Sequence, residues 1–296
     1  MRFPAIMAKT ISRYVGTVAA VALLLSGAWC SLASAAPLTF VWNPPGTVPL
    51  PLPGGLIGPA NNFNVADFAS VTIGGTGNFS EVGYLSVLQF LLGGAPAPQA
   101  GLNATYSLYF GFNGTGTGTV PPPPGSATTG PFTSLNYTLF AVISPTPTFT
   151  VTNGNVTVVG GFAIPLAFGS MISGTATLTN TGVGAQPFSP TANLFETFHV
   201  CTAAGQGNAP GFGQAACIGD ESLFFLIPPP PTINLVVGNF SATTSVTSFD
   251  GTFLNINGGG GNLTLEHRVP EPMSLTLLGV GLLGLAGAGF FARRKI

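Results

Sequence analysis

A chain of 296 residues, 46% hydrophobic and only 5% charged, is long enough for one large domain or two small ones. Six of its seven basic residues sit near the two ends, which leaves Arg268 alone against Asp67, Glu81, Glu196, Asp220, Glu221, Asp250 and Glu266 in the middle. That balance excludes nucleic acid as a partner, because nothing between the ends could neutralise phosphates; and a mean hydropathy of +0.51 does not make a polytopic membrane protein, because the bilayer-compatible stretches are confined to the two ends.

The first segment reads as a leader. Arg2, Lys9 and Arg13 form a basic start, an apolar core runs from about Val15 to Ala28, and Ala33 and Ala35 are spaced as an A-x-A cleavage site. Cleavage is expected after Ala35, giving a signal peptide over 1–35 and an exported product. An uncleaved anchor would need roughly 20 apolar residues, more than this core supplies. Lipidation at Cys30 is opposed by the bulky Trp29 before it.

From 36 to 268 the pattern changes to short alternating segments. In "NATYSLYFGFN" the residues Ala104, Tyr106, Leu108, Phe110 and Phe112 share one face and Asn103, Thr105, Ser107, Tyr109, Gly111 and Asn113 the other, as in a half-buried strand. Further strands are predicted at "LTFVW" from Leu38, "FASVTI" from Phe68, "YLSVLQFLL" from Tyr84, "LNYTLFAVI" from Leu135, "NVTVV" from Asn155, "SGTATLT" from Ser173, "LFETFHVC" from Leu194, "SLFFLI" from Ser222, "TINLVV" from Thr232 and "LTLEH" from Leu263. Asn153-Gly154, Asp250-Gly251 and Asn257-Gly258 supply turn chemistry between them. With β-branched and aromatic residues dominant and helix formers sparse, the expected fold is all-β, an antiparallel β-sandwich or flattened barrel.

Two tetraproline runs, Pro121 to Pro124 and Pro228 to Pro231, cannot donate to a ladder and mark extended connections. The first could separate two β domains, but the strand pattern is alike on both sides, which favours a long surface loop. Seven N-x-S/T sequons, at Asn78, Asn103, Asn113, Asn136, Asn155, Asn239 and Asn262, indicate a polar, uncharged surface.

After cleavage two cysteines remain, Cys201 and Cys217, and an even count in an oxidising compartment points to a disulfide. Two thiolates on a metal would need further ligands, and only His199 is close in sequence. The middle lacks any Lys for a Walker loop, any G-x-S-x-G elbow and any HExxH. Glu196 and His199 form an E-x-x-H pair, but on a strand positions three apart face opposite ways. No catalytic residue, metal or cofactor is therefore expected. The alternative is a carbohydrate-binding or glycosidase-like protein in which Glu196, Asp220 and Glu221 converge beside exposed Tyr84, Tyr109 or Tyr137.

The tail closes the chain with Met273 to Ala292, 20 uncharged residues, enough at about 1.5 Å rise to span a core of about 30 Å as one transmembrane helix. Arg293, Arg294 and Lys295 would hold that end in the cytoplasm and leave the β domain outside the inner membrane. The span is preceded by Val269, Pro270, Glu271 and Pro272. Pro-Glu-Pro, a span opening at Ser274-Leu275 and holding "LLGVGLLGLAGAG", and a terminal basic cluster resemble the PEP-CTERM sorting signal of Gram-negative bacteria over residues 269–296. The body is similar to flocculation-associated members of that family in "FVWNPPG", "NFSEVGYL" and "YSLYFGF", a likeness that carries over no functional residue. The resemblance implies an exosortase that recognises Pro270, Glu271 and Pro272 and removes the span. It also implies a secreted or surface-bound product associated with exopolysaccharide, biofilm or floc. The expectation is thus a non-enzymatic surface or extracellular-matrix protein.

Overall fold

The computed structural model describes residues 38–267, apart from 48–50, 76, 119–121, 144–145, 184–187, 203–215, 228–235 and 244–245. The leader, with Ala33 and Ala35, and the tail, with its sorting motif, span and basic cluster, lie outside the described residues.

The body is all-β. Its main wall is a closed ring of eight antiparallel strands: β3 (Asn62–Ile73), β4 (Asn78–Leu92), β6 (Tyr106–Thr117), β7 (Ser126–Ile143), β10 (Ala163–Asn180), β11 (Phe188–Thr197), β14 (Val236–Thr243) and β16 (Phe253–His267). Each strand pairs with the next of this series, and β16 returns to β3, with Leu263 opposite Phe63 and Leu254 opposite Val71. This is an up-and-down barrel, the closed solution to the problem of unpaired sheet edges. It settles the choice between sandwich and barrel.

Alternation decides what fills it. Phe63, Val65 and Ala69 of β3, Leu85 and Val87 of β4, Leu108, Phe110 and Phe112 of β6, and Leu263 and Leu265 of β16 belong to one core of buried side chains. The opposite parity is rich in Thr, Asn and Ser, as in the Thr115 pair with Thr133 at 2.9 Å and the Thr129 pair with Thr177 at 2.8 Å. A lipid-facing barrel shows the reverse order, apolar outside and polar within.

A second, small sheet closes one end: β1 (Phe40–Trp42) between β2 (Ile57–Ala60) and β13 (Phe225–Ile227). It drives Phe40, Trp42, Phe224 and Phe225 against Phe63 and Phe90, with ring centroids 4.9 Å apart for Phe40 and Trp42 and 5.0 Å for Phe40 and Phe63. All six are fully or almost fully buried. Such aromatic contacts hold the plug through large apolar areas and edge or stacked ring geometry.

Outside the wall, β8 (Thr148–Thr152) and β9 (Asn155–Val159) form a hairpin that turns at Asn153-Gly154. Gly154 sits at φ 75°, a conformation that favours glycine. The hairpin lies on Phe68, Tyr84, Tyr109 and Phe140, with Phe149 4.8 Å from Phe68. Its tip is tied down by polar groups: Asn153 donates to Asp250 at 2.8 Å, Asn255 donates to Asn153 at 2.7 Å, and the Gly154 N–H donates to Ser70 at 2.9 Å.

Three short strands complete the set: β5 (Ala95–Pro96) on β4, β12 (His199–Val200) on β10 and β15 (Val246–Phe249) on β16. The first tetraproline run joins β6 to β7, neighbours in one wall.

Several local expectations change. The strand through Tyr106–Phe112 is buried on both faces, because the hairpin covers the side that alternation assigns to water. Asn257-Gly258 is a bulge inside β16, where the register against β3 shifts, rather than a turn. "SLFFLI" begins as a 3₁₀ turn, Glu221–Phe224, because Asp220 caps it by accepting from the Ser222 N–H at 3.0 Å. The strands β2 and β15 carry too few apolar alternations to be read from sequence, whereas β8, "TFTVT", alternates with period two and is absent from the predicted strands.

Candidate functional site

Between the plug and the far rim the barrel is not completely filled. A cavity of about 70 Å³ lies among Leu85, Phe110, Phe112, Leu135, Leu194 and Phe240, and a second of about 90 Å³ continues toward the rim, sharing Val71, Ala176 and Pro190 with the first. Glycines on the inward parity make the rings fit. A Cβ on Gly83 would meet Phe112 at 2.6 Å, and one on Gly169 would meet the Tyr137 hydroxyl at 2.5 Å.

Among the residues lining this apolar space are four titratable side chains: Asp67 from β3, Glu81 from β4, Tyr137 from β7 and Glu196 from β11. Each interrupts an inward apolar stripe. Asp67 follows Phe63 and Val65, Glu81 lies between Phe79 and Leu85, and Glu196 follows Leu194. In the register Asp67 faces Gly259, Glu81 faces Gly114 and Glu196 faces Gly238, so each acid lies beside a residue without a side chain.

The electrostatics follow from the surroundings. Among the described residues no Lys, Arg or His lines the cavity, so the carboxyls lose water without gaining a counter-charge. Burial pushes Glu196 up to about 8, and burial pushes Glu81 up to about 7 although it keeps some accessible surface. Asp67 is raised well above the carboxylate range, first by burial and then by the neighbouring Glu81. It is 5% exposed, and its Oδ1 has no hydrogen-bond partner. The Tyr137 hydroxyl donates to the Thr197 carbonyl at 2.5 Å, and burial followed by Glu196 holds it far above the usual phenol range.

The other residues singled out in the sequence separate. Cys201 and Cys217 form a disulfide with an S–S distance of 2.04 Å, both buried. Glu196 points into the lumen while His199, on β12 opposite Phe168, lies 5.6 Å from that ring and does not line the cavity. Asp220 is the 3₁₀ cap, and Glu221 is buried beside the disulfide, its N–H donating to the Cys201 carbonyl at 2.8 Å; neither lines the cavity with Glu196. Tyr84 and Tyr109, expected to be exposed, are buried under the hairpin, and Tyr137 is buried in the lumen. Among the described residues, no group of three or more His, Cys, Asp or Glu is placed to hold a metal ion.

Asp67 and Glu81 were not among the expected site residues. Their signal was present in the alternation: each is a carboxylate on the parity of an apolar stripe.

Fold and site together define an eight-stranded up-and-down β-barrel, plugged at one end, with a small apolar lumen bearing acids but no cation. Comparison with family models, with curated proteins and with solved structures finds no match.

Proposed function

We propose that this chain is an exported, non-enzymatic protein of the cell surface or extracellular matrix, sorted through its tail. The observation that carries the reading is the order Val269-Pro270-Glu271-Pro272, an uncharged span over 273–292, and Arg293, Arg294 and Lys295 at the end. On this reading the leader over 1–35 exports the chain, the span holds it in the inner membrane, and an exosortase cuts at Pro-Glu-Pro. The barrel then stays at the surface or joins the exopolysaccharide of a biofilm or floc.

Two features of the body support the reading. The Cys201–Cys217 disulfide suits an oxidising compartment. The charge-poor outer wall of Thr, Asn and Ser suits contact with hydrated polysaccharide through hydrogen bonds rather than ion pairs. The carbohydrate-active alternative draws less support, because it needs exposed aromatics beside paired carboxylates in one groove, and Tyr84, Tyr109 and Tyr137 are all buried.

Intact mass and terminal peptides of the protein from membrane, surface and medium fractions of its host test the proposal. A product starting near Ala36, ending near Pro-Glu-Pro and lying outside the cell is the expected result. A full-length tail retained in the membrane would sink the sorting step.

A further inference from the structure

The sorting reading leaves the lumen unused, and the described residues that line the lumen all belong to the barrel. The space beside Asp67, about 70 Å³, adjoins a second of about 90 Å³ across Val71, Ala176 and Pro190, and the two sum to the scale of the engineered cavity of about 150 Å³ that takes up benzene. An eight-stranded barrel is the size at which the interior either fills or holds one small ligand. Here glycines at the inward positions beside Asp67, Glu81 and Glu196 keep it from filling.

The polar groups say which ligand. Asp67 is nine-tenths buried, lines the cavity and leaves Oδ1 without a hydrogen bond, although a buried polar atom without a partner is costly. Once it gives up its proton, Asp67 is an acceptor among apolar walls, with Glu81 lining the same cavity and no basic side chain among the described lining residues. A donor carrying positive charge meets all of these conditions. Burial and the neighbouring Glu81 both oppose ionisation of Asp67; an ammonium that takes the place of its proton offsets both, a neutral donor offsets neither, and an anion adds to them.

We propose that the barrel lumen binds a small apolar amine, a single ring or short hydrocarbon body carrying one ammonium group, with the body among Leu85, Phe110, Phe112 and Leu194 and the ammonium on Asp67. The binding energy is divided accordingly. The hydrocarbon body supplies affinity by leaving water, and the charge-assisted hydrogen bond to Asp67 supplies discrimination.

Calorimetric titration of the full chain with three molecules of one size tests this: benzylamine, ethylbenzene and phenylacetate. Benzylamine is expected to bind at least tenfold more tightly than ethylbenzene, and phenylacetate not to bind measurably. In Asp67→Asn the preference for the amine is expected to fall at least tenfold while ethylbenzene binding persists. Equal affinities for benzylamine and ethylbenzene, no binding of benzylamine, or a preference that survives Asp67→Asn would each overturn the proposal. Should Asp67→Asn not fold, methyl NMR of the natural protein replaces it. Shifts at Val71, Leu85 and Leu194 on adding benzylamine are expected, and shifts confined to the exposed Leu88 and Val159 would overturn the assignment.

Discussion

A carboxyl group held in an apolar lumen makes stability depend on pH in a direction opposite to that of a surface salt bridge. Glu196 moves from 4.5 in the open chain to about 8 in the fold, so the folded state holds its proton over a range where the unfolded chain has lost it. The contribution is therefore complete below about pH 4.5 and is lost as pH rises through about 8, a difference on the order of 4 kcal/mol. Glu81, raised to about 7, and Asp67 act in the same sense. Melting temperature is expected to fall between pH 5 and pH 9, and Glu196→Gln to make that fall shallower; a slope unchanged by the substitution would remove Glu196 from the lumen's titration. The inward glycines set a second limit. A methyl at Gly83 would meet Phe112, the Phe68 carbonyl at 2.7 Å and Ala69 at 2.9 Å, whereas one at Gly75 would meet nothing within 4 Å. Gly83→Ala should cost roughly 1–3 kcal/mol in urea denaturation, and Gly75→Ala should stay within about 0.5 kcal/mol.

At the scale of elements, the hairpin β8–β9 is the part most separable from the rest. Two strands alone are marginal in water, so it persists only by packing on the wall. That packing consists of Phe149 on Phe68, Tyr84 and Tyr109, at 4.8, 5.4 and 5.7 Å between ring centres, and of the polar cluster joining Asn153, Ser70, Asn255 and Asp250. Phe149→Ala should cost about 2 kcal/mol and speed amide exchange over 148–159, with the barrel strands keeping their protection. Equal acceleration in β6 and β7 would show that hairpin and wall open as one unit.

At the scale of the molecule, closure joins strands far apart in sequence, since β3 and β16 pair across about 190 residues. Loop closure of that span precedes its reward, so folding is expected to be slow for a chain of this size. The disulfide limits the same entropy locally. Cys201 and Cys217 are 16 residues apart, and bridging them stabilises by about 3 kcal/mol in the chain-entropy account. Replacing both by Ser should lower the unfolding free energy measured in urea by that amount, and a reductant should do the same to the natural protein and nothing to the variant. A reductant effect that persists in the variant would point away from this bond.

The amino-acid order alone determined the all-β class, most of the long strands and the Cys201–Cys217 pairing, because alternation with period two and an even cysteine count are local signals. It also carried the acids in the apolar stripes, for Asp67, Glu81 and Glu196 occupy the parity of Phe63, Phe79 and Leu194. Only the tertiary structure decided what that parity meant. An inward face is the same in a sandwich and in a barrel, and whether β16 reaches β3 depends on the register and twist of every strand between them. Tyr84 and Tyr109 show the same limit, since they lie on the face that alternation gives to water, and a hairpin about 40 residues from Tyr109 along the chain covers them. The lumen exists for that reason too: its volume is a property of eight walls facing one another, and no single strand contains it.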